Sequence, residues 1–166
     1  MSEELSPEAL DYLSAGIKSE IAAYVFYKKF AAKTNSEKLR DTMLSFANEE
    51  RKHFLSLEQR YDHYVRSEKW VTYRDILGRD GLPDIDETIG EKHVKRIAEM
   101  EAATSNIDVL KIALAFEEEA RDLYTEAAAK STAADVKETF EFLAKFEAGH
   151  VKFVGELIAA ESGAAS

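Results

Sequence analysis

Six residues of this 166-residue chain have the types and spacing of metal ligands. Glu50 and His53 stand three apart, as do Glu147 and His150. On an α-helix that spacing leaves the two side chains about 60° apart in azimuth and one turn apart in height, so they point the same way. A lone glutamate lies 30 positions before each pair: Glu20 before Glu50, and Glu117 before Glu147. One constant offset of 97 residues carries 20 onto 117, 50 onto 147 and 53 onto 150. Four carboxylates and two imidazoles in this arrangement form the ligand set of a two-metal site inside a four-helix bundle.

A single Glu-x-x-His says little. Glutamate supplies 22 of the 166 residues, so it precedes a random histidine by three about one time in eight. Two of the four histidines have it here, each with an upstream glutamate at the same distance, and coincidence becomes a poor explanation. Energetics points the same way. A carboxylate on a buried stripe is costly unless paired, on the order of several kcal/mol for each isolated ion, and four at one level repel one another. Two divalent ions would offset the four glutamate charges, with neutral imidazoles completing the shell. No Lys or Arg shares these stripes to do so instead. Oxygen-rich donors with two imidazoles suit Fe or Mn, whereas zinc favours thiolates or imidazole-rich tetrahedra.

The elements that must position these residues are helices. Gly and Pro are scarce, at 7 and 2 residues, and Ala, Glu, Lys and Leu abound. Ser6-Pro7-Glu8 reads as a helix start, with Ser as N-cap and Pro at the first helical position. Behind it Leu10, Leu13, Ile17, Glu20, Tyr24, Tyr27 and Ala31 trace one stripe at steps of three and four. Thr34-Asn35-Ser36 ends that helix and opens the next, whose stripe is Leu39, Met43, Phe46, Glu50, His53, Leu57 and Tyr64. The turn lies halfway between Glu20 and Glu50, so an antiparallel hairpin sets both carboxylates at one height. Ser105-Asn106-Ile107-Asp108 resembles a capping box and opens a third stripe, Leu110, Ala113, Glu117, Ala120, Tyr124 and Ala127. After Ser131-Thr132 the fourth carries Val136, Phe140, Leu143, Glu147, His150, Val154 and Leu157.

The expected architecture is all-α: one domain over 1–166, with bundle helices at about 6–33, 36–63, 106–130 and 132–161. The segment of about 64–105 exceeds what a helix hairpin needs and suits a crossover that leaves the second and third bundle helices parallel. Within it Arg79-Asp80-Gly81-Leu82-Pro83-Asp84 reads as turns and Glu91 to Ala103 as a short helix. The halves also match away from the six residues: Leu13 with Leu110, Ala23 with Ala120, Tyr27 with Tyr124, Ala31-Ala32-Lys33 with Ala128-Ala129-Lys130. A duplicated helical hairpin explains this and gives the bundle pseudo-twofold symmetry.

Composition excludes other classes. A net charge of −10 leaves no cationic face for a nucleic-acid backbone. With no cysteine there is no disulfide, thiolate-bound zinc or rubredoxin-type iron within the chain. The acidic start lacks an apolar signal region, and the longest apolar run, Ile21 to Tyr27, is too short to span a membrane. The expectation is a cytoplasmic protein without membrane partners.

Other residues carry weaker signals. Tyr27 and Tyr124, two turns beyond Glu20 and Glu117, read as supports of the ligand carboxylates, as redox-active phenols, or as ordinary core tyrosines. His63 and His93 lack a glutamate three before them and are expected at the surface; Glu118 and Glu119 point away from Glu117 and are expected in solvent. Tyr61, Tyr64, Trp70 and Tyr73 form an aromatic cluster that would pack the crossover or form a homodimer face.

With these residues in hand, the chain resembles the rubrerythrin branch of the ferritin-like superfamily over nearly its whole length. Glu20-Ile21-Ala22-Ala23-Tyr24-Val25-Phe26-Tyr27 is similar to that family's Glu-x-x-Ala-x-x-x-Tyr motif. Glu50-x-x-His53 and Glu147-x-x-His150 match its second- and fourth-helix motifs, and Glu117 its third-helix glutamate. The resemblance implies two bound Fe ions, with Mn open, in a homodimer that reduces peroxide or dioxygen using an external electron donor. A ferroxidase or iron-handling role is the alternative. Two departures stand out: rubrerythrins proper end in a cysteine-bearing rubredoxin domain, and they carry a further glutamate where this chain has Ala120.

Overall fold

The computed structural model describes residues 5–64 and 89–164. Trp70, Tyr73 and the turn segment 79–84 lie outside them. Five helices follow in order: α1 (Pro7–Lys33), α2 (Glu37–Tyr64), α3 (Glu91–Ala102), α4 (Asn106–Lys130) and α5 (Ala134–Ala164). No strand occurs among the described residues.

Local chemistry sets the helix starts. The Ser6 hydroxyl accepts from the Ala9 amide at 3.1 Å, with Pro7 in the first turn where its missing N–H costs nothing. Ser36 does the same for the Leu39 amide and Ser105 for the Asp108 amide, each at 3.2 Å. The Thr34 amide closes α1 on the Phe30 carbonyl, and Arg40 Nη2 reaches the Thr34 carbonyl at 3.0 Å, holding the hairpin turn.

Side-chain contacts fix the helix directions. Tyr27 bonds Glu117 and Tyr124 bonds Glu20, so α1 and α4 run antiparallel side by side. At one end of the α2–α5 seam Arg60 and Tyr64 meet Asp135; at the other Phe46 meets His150 and Phe153. That pair is antiparallel too. Each hairpin, α1–α2 and α4–α5, is closely packed, so the diagonal partners α2 and α4 run parallel. The core along the axis is Leu13, Ile17, Met43, Leu57, Leu110, Val136, Phe140 and Leu143, all nearly inaccessible. This is a ferritin-like four-helix bundle.

α3 lies outside the bundle, against α1 and α4. It buries Ile97 and Met100, and it explains why α1 is buried on more than one stripe: Ala22, Val25, Phe26 and Phe30 are covered along with Tyr27. Tyr24, expected in the core, is only half-buried. Three expectations, for His93, Glu118 and Glu119, need correction. His93 is half-buried and stacks on Phe116, centroids 5.4 Å apart, because α3 folds back onto the bundle; burial, then the Arg96 charge, lowers its pKa. Glu119 is not merely solvated: Arg96 grips it, Nη1 at 2.6 Å, with Lys92 at 2.9 Å, and these partners hold its carboxyl down to about 2. His63 is exposed and Glu118 half-buried.

Lys33 pins the far end of α3. Its ammonium donates to the carbonyls of Met100 at 2.8 Å, Glu101 at 2.7 Å and Ala103, at the C-terminal end where the helix dipole favours a cation. Lys33→Met, which keeps the stem and removes the donors, is expected to loosen α3 by about 1 kcal/mol. Amide hydrogen exchange across Glu91–Ala102 should then speed up roughly fivefold, while α2 exchanges as before.

Candidate metal centre

Each bundle helix delivers its part of the site at the same height. α1 supplies Glu20, α2 Glu50 and His53, α4 Glu117, and α5 Glu147 and His150. All four carboxylates are at most 2% exposed, and the imidazoles 5% and 6%. His53 Nδ1 lies 3.3 Å from Glu147, 3.5 Å from Glu50 and 3.7 Å from Glu20. His150 Nδ1 lies 3.4 Å from each of Glu50, Glu117 and Glu147. The donor atoms thus form two overlapping groups, Glu20–Glu50–His53–Glu147 and Glu50–Glu117–Glu147–His150, each within 4.8 Å. Glu50 and Glu147 belong to both. Glu20 with His53, and Glu117 with His150, each close one end.

These residues fit a pair of metal ions. Glu20 Oε2, Glu50 Oε1, both Glu147 oxygens and the Nδ1 atoms of both histidines are buried without a hydrogen-bond partner, a state that is costly unless something else binds them. Their electrostatics tell the same story. Burial and then the neighbouring Glu50 push Glu20 well above the usual carboxylate range; burial and then Glu147 push Glu117 to about 8. Burial disfavours charge on His53, but Glu147, Glu20 and Glu50 outweigh it and hold the imidazole at about 12. His150 is raised in the same way by Glu117, Glu147 and Glu50. Without cations the cluster therefore holds protons at neutral pH, the nearest substitute for metal charge.

The two tyrosines reach across the bundle in pseudo-twofold fashion. Tyr27 on α1 donates to Glu117 Oε1 on α4, and Tyr124 on α4 donates to Glu20 Oε1 on α1. Burial, then the nearby carboxylates, raises both phenols well above their ordinary value, so each keeps the proton it donates. These bonds give both tyrosines, fully buried in the core, the contacts that support of the carboxylates requires. Tyr124 packs tightly: a Cβ on Gly16 would lie 3.0 Å from its Cε1 and 3.1 Å from Leu57.

Two neighbours of the histidines, Glu49 and Phe146, escape sequence reasoning, while a third, Phe46, stands on the second stripe without its role being read. Glu49 on α2 sits 2.8 Å from His150 Nε2. Phe46 stacks on the His150 ring with centroids 4.4 Å apart, and Phe146 meets the His53 ring edge-on at 4.3 Å. All three lie on the α2–α5 seam; periodicity within one helix marks Phe46 as buried but gives no signal for Glu49 or Phe146, where only the 97-residue offset, which pairs them, could have drawn attention.

Fold and site together define a dinuclear carboxylate–histidine protein of the ferritin-like type. The chain belongs to the rubrerythrin family, whose model matches residues 11–106 and 108–165. Solved structures share the fold. A bacterioferritin from Rhodobacter capsulatus, with a metal-free dinuclear site and haem iron, is 21% identical at a TM-score of 0.67, covering 96% of this chain and 89% of its own. A manganese catalase from Anabaena is 17% identical at 0.70, covering 98% and 76%. A hypothetical protein from Pyrococcus furiosus is 24% identical at 0.61, covering 92% and 90%. A search of curated proteins gives no match. No described helix is long and apolar enough to cross a membrane.

Metal loading should displace the protons held by the cluster. Because the folded-state pKa values of His53 and Glu117 are raised, protons compete at neutral pH, and divalent-metal affinity is expected to rise between about pH 6 and pH 8. Titration calorimetry in buffers of different ionisation enthalpy should show net proton release; a binding heat independent of buffer would contradict this.

Proposed function

We propose that this chain is a di-iron carboxylate oxidoreductase that reduces peroxide or dioxygen with electrons from an external donor. The observation that carries the reading is the sharing of Glu50 and Glu147 between two carboxylate–histidine groups in a dry core. Family membership supports it, and iron is preferred to manganese on the same ground. When bound, two redox-active ions held by six side chains would exchange electrons with a small oxidant at the coordination positions left open.

The protein's own residues do the rest. Glu50 and Glu147 would hold both ions, and the pairs Glu20–His53 and Glu117–His150 would each hold one. Tyr27 and Tyr124 orient Glu117 and Glu20 and keep hydroxyl protons beside those carboxylates. Phe46, packed on His150 and 6% exposed, and Phe146, packed on His53, limit water at the histidine side.

Mixing the iron-loaded, reduced protein anaerobically with hydrogen peroxide should oxidise the site much faster than free ferrous ion. Equal rates would overturn the proposal. Uptake of many irons per chain, rather than two, would move the reading to a ferroxidase or iron-handling role. Glu147→Gln touches both positions, so it should cost more metal affinity than the ~10–100-fold typical of an outer neighbour, and abolish turnover.

A further inference from the structure

The offset that relates the two halves breaks at one functionally placed position. It carries Glu49 onto Phe146. In the structure Glu49 Oε2 accepts from His150 Nε2 at 2.8 Å, while at the equivalent place His53 meets the Phe146 ring edge-on, at 4.3 Å and 83°. No described residue offers the His53 Nε2 a carboxylate. The stack of Phe46 on His150, at 4.4 Å and 16°, is likewise one-sided, since its counterpart by the offset is Leu143.

We propose that Glu49 makes the two metal positions unequal: the His150 side binds first and tightly, the His53 side second and more weakly. The inference rests on the two-metal reading of the site. Three physical effects combine. An Nε2–H donated to Glu49 fixes the tautomer that leaves the Nδ1 lone pair facing Glu50, Glu117 and Glu147. The same bond, with the Phe46 stack, holds the ring in its binding orientation before the ion arrives. The Glu49 charge also adds to the negative potential at that position and raises the donor strength of the imidazole. His53 has steric support from Phe146, but an aromatic ring is a far weaker acceptor than a carboxylate, so among the described residues neither tautomer nor basicity is set there. Glu49 is a positioning residue, acting through His150.

The test is titration of the metal-free full chain with Co(II), followed by calorimetry and the visible absorption of the bound ion. Wild type is expected to bind in two steps separated by ~10–100-fold. Crystals prepared with a single equivalent of Co(II) should show its anomalous peak beside His150. Glu49→Ala should weaken the first step by ~10–100-fold and leave the second unchanged. Glu49→Gln, whose amide oxygen can still accept the N–H, should fall between. Because Glu49 is about one-third exposed, with a side-chain accessibility of 34%, the metal-free melting temperature of Glu49→Ala should stay close to wild type. Equal wild-type steps, a first ion beside His53, or a Glu49→Ala titration that matches wild type would each overturn the proposal. Failure of wild type to bind any Co(II) would overturn the two-metal reading itself, a result distinct from equal binding at both positions.

Discussion

Four glutamate carboxylates meeting in a buried core is the constraint on which everything else depends. Each is buried to 2% exposure or less, and no lysine or arginine among the described residues is buried with them. Such a cluster is tolerable only if it takes up protons or cations. The raised values of Glu20 and Glu117 and the strongly held proton on His53 are the protein's response without metal. Divalent ions answer the same demand while leaving the imidazoles neutral.

The bundle can be understood as the apparatus that keeps those groups together. Two hairpins set Glu20 level with Glu50 and Glu117 level with Glu147, and the tyrosines tie each hairpin to the other through the terminal carboxylates. α3 then closes a flank of α1 and α4, fastened by Arg96 and Lys92 on Glu119 and by Lys33 on the carbonyls at its end. The Lys92 contact of α3 is on the surface and worth a modest amount, the Arg96 contact is partly buried, and the buried Ile97 and Met100 supply the apolar attachment.

Much of the site was legible because the chain states it twice. The duplication repeats Glu, Glu-x-x-His and the Tyr seven residues on, so periodicity and offset reinforce one another, and all six residues converge as their stripes imply. The starts of α1, α2 and α4 were legible for a simpler reason, the capping hydroxyls of Ser6, Ser36 and Ser105. What single-helix periodicity could not show are contacts set by neighbouring helices. Glu49 occupies a position that looks solvated on α2 alone and becomes a partner of His150 only when α5 lies beside it. His93 and the second buried face of α1 have the same origin, since both depend on where α3 docks. Departures from the repeat, such as Glu49 against Phe146, prove as informative as the repeat itself.

Metal content and position together test the central claim most directly. Protein saturated anaerobically with ferrous iron, assayed for iron per chain and crystallised for anomalous diffraction at the iron edge, should hold two ions. Both should contact Glu50 and Glu147, one also contacting Glu20 and His53 and the other Glu117 and His150. Iron bound elsewhere, or coordinates with Glu20 and Glu117 turned out to solvent, would contradict the account.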